Sequence, residues 1–330
     1  MLSGRRLVKS FLPMAELSCI NINFDSFGWA LGLPPGRTRD PSFFEVADRF
    51  FAISDRMGFK YTIYVIGRDL ENPEVAARVR DWHDRGHEIG NHSYSHLQNL
   101  GYLGDGEIES EVMRSHELIA RACGRAPRGF IAPAWATSPA LLRVLIRNRY
   151  LYDTSLLPSY FMWLASAKVW WNFRGDERQK SVLQRKDRLA NLIGRRRPFF
   201  TDGASLTPQA AGGGLLVIPL PVTPVFRLPL WHTMAFFFPR WIFDHVLRTT
   251  LRMRFFYYLV HPSDLADLDD IPAGYMESSR VLEKQRMAVP VAEKIRQMET
   301  FLAVVKERSG RIVTLETIAQ ALWKEKQGAP

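Results

Sequence analysis

Two hydrophobic patterns alternate along the first half of the chain. Short runs, the longer of them rich in apolar residues, fall at residues 17–24, 61–66, 87–91, 129–132 and 151–154. Runs of this length and composition predict buried strands. Between them lie longer stretches with apolar residues at helical spacing, at residues 42–57, 73–85, 107–123 and 139–149. Their ends carry helix punctuation. Ser42 is the expected cap of the first, with Gly58 as its stop. Asn72 followed by Pro73 opens the second and Gly86 closes it, and Gly124 ends the third. The pattern returns late in the chain. Strands are expected at 215–220, 255–260 and 312–314, with helices at 241–252 and 291–308. Strands alternating with helices across short connections imply parallel pairing with helices packed outside. Because both ends of the chain supply the same unit, the expectation is one closed α/β barrel rather than two domains.

Residues 156–214 interrupt this rhythm. The segment holds ten basic residues against four acidic ones, interleaved with Trp163, Trp170, Trp171, Phe173, Phe199 and Phe200. It reads as an insertion carried by the barrel. It supplies more than half of a net charge of +10 over 330 residues. That surplus points to a polyanionic partner: an anionic membrane surface, a phosphorylated substrate or nucleic acid. Nucleic acid is disfavoured, since no helix-turn-helix, zinc-finger or RNA-binding signature is present. Cys19 and Cys123 are the two cysteines, which excludes a disulfide framework and a cysteine-based zinc site. No run of about 18 apolar residues predicts a membrane span. Arg5, Arg6 and Lys9 are followed by a run broken at Pro13 and Glu16, a poor signal peptide. The expectation is a cytoplasmic protein with peripheral contact at the inner membrane face.

Three segments, each following an expected strand, carry the candidate chemistry. NINFDSFG (21–28) places Asp25 after the first strand, GHEIGNHSYSH (86–96) places His92 and His96 after the third, and FFYYLVHP (255–262) places His261 after a late apolar strand. In a parallel barrel these strand ends share one face, where active sites are built. Histidines four apart can address one metal from a single helical turn, and imidazole suits Zn²⁺ and other first-row divalent ions. A histidine at the position of His261 is placed for general acid work. The other histidines read as structural: His83 and His116 as solvated, His87 as packing, with His232 and His245 carrying no spacing signal.

On GHEIGNHSYSH, YLVHP and YLYDTSL (150–156), the chain resembles the polysaccharide deacetylases of the NodB-homology type, carbohydrate esterase family 4, over roughly residues 17–322. Residues 1–16 would then be an N-terminal extension and 323–330 a tail. The resemblance implies a deformed (β/α) barrel and one divalent metal, Zn²⁺ first, with Co²⁺, Mn²⁺ or Ni²⁺ as alternatives. The implied reaction is hydrolysis of an N-acyl or O-acyl group on a sugar. It implies Asp25, His92 and His96 as ligands, Asp25 and His261 as catalytic groups, and Asn23, Ser26, Trp135 and Asp153 as substrate-side residues. Backbone N–H groups near Trp135 are candidate oxyanion donors.

Two features depart from the family. Its first motif usually carries two aspartates, adjacent or one residue apart; here the two versions read Asp25-Ser26 and Asn23-Phe24-Asp25, so one carboxylate remains. The arginine of its third motif is replaced by Ala132 in FIAPAW. The branch acting on polyprenyl-phosphate-linked amino sugars also lacks that arginine, and a lipid-linked substrate suits the basic, aromatic insertion. The competing readings are a non-catalytic carbohydrate- or lipid-binding relative and an amidohydrolase for a small non-sugar amide.

Overall fold

The structure is a computed structural model that describes residues 15–30, 39–160, 194–206, 213–272 and 286–328. Most of the basic, aromatic segment (161–193 and 207–212), the first fourteen residues and the last two therefore lie outside the described residues.

The chain forms β1 (Ala15–Phe24), α1 (Phe27–Ala30), α2 (Glu45–Met57), β2 (Thr62–Val65), α3 (Pro73–Asp84), β3 (Glu88–Asn91), α4 (Asp105–Cys123), β4 (Gly129–Phe130), α5 (Pro139–Arg147) and β5 (Tyr152–Asp153). It continues through β6 (Phe199–Thr201), β7 (Leu215–Val217), α6 (Arg240–Thr250), β8 (Phe255–Val260), α7 (Val291–Arg308), β9 (Ser309–Ile312) and α8 (Leu315–Gly328). The sheet runs β6-β7-β5-β4-β3-β2-β1-β8, with β9 on β1 beside the start of the ladder to β2. Every ladder is parallel except β6 on β7. This is a curled, deformed α/β barrel.

The barrel is not closed by a ladder among the described residues. Between the β8 edge and the β6–β7 edge, only isolated pairs form, Val222↔Pro229 antiparallel and Trp231↔Leu259 parallel. The expectation of a closed barrel is corrected to this extent. β6 lies inside the segment read as an insertion, so that segment contributes to the sheet.

Burial follows the two sequence patterns. β2 and β8 are buried at every position, as strands covered on both faces must be. The outer face of the sheet packs on the helices through rings such as Phe24 of β1 against Phe43 and Trp82, 4.7 Å and 5.0 Å away between centroids. The lumen is filled by residues including Tyr64, Tyr152, Leu216 and Leu259.

Asn72 caps α3 as expected, its side-chain oxygen accepting from the Glu74 amide at 2.9 Å. Gly58 and Gly124 stop α2 and α4 with φ of 74° and 68°, which only glycine adopts freely. Ser42 does not cap α2, whose N-cap position is Phe44 with no side-chain cap; Asp40 caps the turn before it instead. A 3₁₀ turn over Pro41–Phe43 precedes α2, and Asp40 Oδ1 accepts from the Ser42 amide (2.9 Å) and hydroxyl (2.6 Å). The last strand starts three residues before its expected position. It is followed by α8, which the sequence reading did not include and which runs past the boundary drawn at residue 322. Trp323 on α8 packs against Phe200 at 4.7 Å and donates to the Leu151 carbonyl at 3.1 Å.

Gly101, just beyond the histidine segment, lies against the turn at 133–136. A Cβ there would overlap the Ala136 carbonyl oxygen and come within 2.9 Å of the carbonyl carbons of Ala136 and Thr137. Gly101→Ala is therefore expected to destabilise the fold by about 1–3 kcal/mol, the usual range for overpacking. Urea denaturation checks this; an unchanged midpoint would show that the two backbones separate freely.

Candidate metal centre and its surroundings

Strands β8, β1, β2 and β3 lie side by side, and the candidate residues leave their C-terminal ends. In register, Ile22 of β1 faces Val260 of β8, so Asp25 and His261 emerge from neighbouring strands. The Asp25 amide donates to the Asn23 carbonyl at 2.9 Å, turning the chain as β1 ends. The His92 amide continues the pairing by donating to Val65 at 3.0 Å.

His92 and His96 do not occupy a helical turn, which corrects the expectation from their spacing. They bracket a loop in which Ser93 and His96 take positive φ of 63° and 58°. The loop is held from several sides. The Ser93 amide donates to Asn91 Oδ1 (2.8 Å), and the His96 amide donates to Ser93 Oγ (3.1 Å). Ser95 donates to Glu111 on α4 through its amide (2.9 Å) and its hydroxyl (2.6 Å). Gly67 and Arg68, following β2, donate to the Ser93 and Tyr94 carbonyls, both at 2.9 Å. Unfavourable backbone angles persist where surrounding structure over-determines them, and such places cluster at functional sites.

The result is a tight triad. Asp25 Oδ1 lies 3.4 Å from His92 Nε2 and 3.2 Å from His96 Nε2, and the two Nε2 atoms are 3.1 Å apart. Both histidines are buried; Asp25 is partly open to solvent. His92 Nδ1 sits 2.7 Å from the Ile131 carbonyl, which fixes Nδ1 as the protonated nitrogen and turns the Nε2 lone pair toward Asp25. The Trp29 ring covers His96 at 3.9 Å. Burial pushes the Asp25 carboxyl up, but its interactions with the facing His96 and His92 rings outweigh it and hold the group well below the usual carboxylate range. Burial lowers the His96 pKa, against the pull of Asp25. A carboxylate held ionised and facing two imidazole rings is a donor set that suits a divalent cation. The three separations also match the edges of a tetrahedron whose bonds are ~2.0–2.1 Å. These residues fit a zinc-sized ion.

His261 lies beside a network the sequence reading missed. Its amide donates to Asp264 Oδ2 at 2.8 Å, and its Nδ1 is 3.3 Å from Thr233 Oγ1 and 3.8 Å from Asp264 Oδ2. Thr233 donates to Asp264 Oδ1 at 3.0 Å. Asp264 is fully buried. Burial raises its pKa, but His261, His232 and Arg286 together hold it far below the usual range. Lys294, also buried, donates to the Ser263 (3.1 Å) and Ala266 carbonyls and braces this turn from α7. The signal for Asp264 was present: an acid three residues after a capping position. Thr233 and Arg286 had none.

Ser26 is buried, and its hydroxyl accepts from the Trp29 amide at 3.3 Å and hydrogen-bonds the Asp69 carboxyl. Asp69 was also missed. Burial, with the charges of Asp40 and Asp25, pushes its pKa up to about 7. Its Oδ2 is buried with no hydrogen-bond partner. Asn23 is nearly buried and pairs with Tyr64 in the ladder. The Trp135 amide donates to the Ala132 carbonyl at 3.0 Å, so this N–H is engaged within its own turn. Ala134 and Trp135 both take positive φ, and the Trp135 ring packs on Trp231 at 5.2 Å.

Asp153 is fully buried, and no hydrogen bond or ion pair joins it to the triad. It accepts from Ser155 Oγ at 2.5 Å, and Ser155 Oγ accepts from the Ala132 amide at 2.7 Å, so it supports the turn that carries Trp135. Burial pushes its pKa from 3.8 to about 7 against the Ser155 hydrogen bonds. The folded state thus keeps a proton that the unfolded chain has released, and this contribution to stability is lost as pH rises through 7. Asp153→Asn is expected to raise the melting temperature relative to wild type more at pH 8 than at pH 5.5. An equal difference at both values would contradict the assignment.

Among the remaining histidines, His87 is buried and accepts from the Tyr61 amide at 3.0 Å, as a packing residue should. His116 is not simply solvated, since its Nδ1 meets Tyr150 Oη at 3.0 Å. His232 is fully buried against Tyr258 Oη at 2.8 Å.

Residues 22–152 match the family model for polysaccharide deacetylase. A Helicobacter pylori protein named peptidoglycan deacetylase is 37% identical over 78 residues, covering 24% of this chain and 26% of that protein. A Bacillus cereus protein named peptidoglycan-N-acetylglucosamine deacetylase is 26% identical over 125 residues, covering 38% of this chain and 41% of that one. The matched region thus spans less than half the length of either relative. The crystal structure of a candidate polysaccharide deacetylase from Mycobacterium smegmatis superposes with a TM-score of 0.59 at 14% identity, covering 98% of this chain and 94% of that one, a likeness of fold. The Asp25–His92–His96 triad lies within residues 22–152, the part of the chain that matches the polysaccharide deacetylase family model.

Proposed function

We propose that this chain is a metal-dependent hydrolase that removes an N-acyl group, acetyl or formyl, from an amino sugar. The observation that carries this reading is the Asp25–His92–His96 triad at the strand ends, with His261 on the neighbouring strand. Two relatives named for deacetylation of peptidoglycan support an acylated amino sugar as the substrate class.

Asp25, His92 and His96 would hold one divalent ion, Zn²⁺ by its donor set, which supplies Lewis acidity to water and to the acyl oxygen. The chain's own groups do the rest. Ile131 keeps His92 in the required tautomer and Trp29 limits access of solvent around His96. Water adds its oxygen to the acyl carbon, and a base must take its proton. The sequence supplies no acid at position 23, but Asp69 shares the field of Asp25 and hangs from the turn bonded to the histidine loop. We assign it as the second carboxylate of the site. As the C–N bond breaks, His261 gives its proton to the departing nitrogen, its ring oriented by Thr233 and the buried Asp264.

The finer reading is a lipid-linked amino-sugar substrate reached through peripheral contact with an anionic membrane. It rests on the basic and aromatic residues of 156–214. No helix among the described residues is long and apolar enough to cross a membrane.

The test is acetate release from chitin oligomers and N-acetylated peptidoglycan fragments by the Zn²⁺-loaded chain. Wild type is expected to release acetate, and Asp69→Asn is expected to lower kcat by about 10²–10⁴-fold, the usual contribution of a general base, with metal content retained. Metal-loaded protein that releases no acyl group from any amino sugar would favour the non-catalytic binding relative.

A further inference from the structure

The unclosed seam of the sheet holds a feature unrelated to deacylation. Where the start of β8 faces the segment leading into β6, a cavity of about 690 Å³ opens, lined by Arg196, Arg197, Arg252 and Arg254 together with Phe255 and Leu322. Its volume falls in the range of small-ligand pockets. Phe255 is at the opposite end of β8 from His261, six residues or ~20 Å of strand away, so the cavity is separate from the metal centre.

The arginines are unequally satisfied. Arg254 is neutralised: its Nε donates to Glu16 at 2.8 Å, and its two terminal nitrogens donate to Glu325 at 3.0 and 2.7 Å. Among the described residues, Arg196, Arg197 and Arg252 form no ion pair with any carboxylate. Arg196 donates to the Val222 carbonyl at 3.2 Å, and its Nε is buried without a hydrogen-bond partner. Burial and the nearby charges of Arg227 and Arg197 lower its pKa from the usual arginine value. Leaving a buried donor unpaired is costly, and gathering like charges around one cavity adds to the cost.

A ligand with several anionic oxygens removes both penalties. A carboxylate brings one charge and two oxygens; a phosphate brings up to two charges and three oxygens, the match for converging guanidinium forks. The walls between the arginines are apolar, through Met253, Phe255 and Leu322. At the rim, Pro224 leads into Val225 and Phe226, which are 72% and 73% exposed. We propose that this cavity is a binding site for a phosphate or diphosphate ester, with its charged head among Arg196, Arg197 and Arg252 and its organic part against Met253, Phe255 and Leu322. The assignment is independent of the deacetylase reading.

Two probes test it and separate the sources of the phosphate. Inorganic pyrophosphate is titrated calorimetrically into the full chain, and the chain is floated with phosphatidylcholine vesicles with and without phosphatidic acid. Three variants are compared with wild type: Arg252→Gln, the double variant Arg197→Gln/Arg252→Gln, and Arg121→Gln, an exposed arginine outside the cavity. One saturable pyrophosphate per chain is expected, weakened at least tenfold in the double variant, several-fold in Arg252→Gln and not at all in Arg121→Gln. Binding seen only to phosphatidic acid vesicles, with the same variant pattern, supports the site and makes its ligand a lipid headgroup. Binding to neither probe, or an equal loss in Arg121→Gln, overturns the proposal.

Discussion

His261→Ala is expected to lower kcat for amide deacylation by roughly 10²–10⁴-fold, the range of general acid catalysis. A departing amine is a far worse leaving group as an anion than as a neutral molecule, so proton delivery should dominate this barrier. The structure places the group for that role: His261 follows β8, next to the strand that delivers Asp25, and contributes to the field that keeps Asp25 ionised. Its ring is not free to swing, since Thr233 Oγ1 lies 3.3 Å from Nδ1 and is itself held by Asp264. A leaving-group comparison isolates the acid role. An activated aryl acetate, whose phenolate departs without a proton, should lose much less rate in His261→Ala than the amide does. Equal losses on both substrates would mean that His261 does not deliver the proton. Asp264→Asn should act through His261, lowering kcat with little change in KM.

Asp25→Asn is expected to reduce acyl release below detection, through loss of the metal. Asparagine keeps the size of the side chain but removes the single charge in the triad, leaving two imidazoles, of which His96 is already discouraged from carrying charge by burial. The separations of 3.1–3.4 Å among three electronegative atoms make sense with a cation shared between them. A melting temperature that rises with added Zn²⁺ in wild type and does not respond in Asp25→Asn checks this. A variant that keeps its Zn²⁺ response would show that Asp25 is not a ligand.

Much of this was legible because it is local. The alternating strands and helices show in the apolar pattern, and α7 spans the 18 residues its spacing marks. The triad and His261 follow from strand-end positions in a parallel barrel. Other features depend on folding partners that spacing cannot show. The helical turn expected of His92 and His96 is a loop because Ser93 and His96 adopt positive φ, held there by Asn91, Gly67 and Glu111. Ser42 looked like a cap, but Asp40 two residues earlier takes the exposed amides. α8 was readable in the apolar positions 315, 318, 319 and 322, which carry helical spacing. Asp69, Thr233 and Arg286 gain meaning only from packing, and so does the arginine-lined seam, which joins residues from α6, β8, α8 and the approach to β6.

The most direct measurement is divalent metal content by mass spectrometry on chain purified without chelator, wild type beside His92→Ala and His96→Ala. The account predicts close to one zinc-class ion per chain in wild type and its loss in both variants, with folding retained by circular dichroism. Wild-type protein that stays metal-free after incubation with Zn²⁺, Co²⁺, Mn²⁺ or Ni²⁺, or variants that retain a full ion, would contradict it.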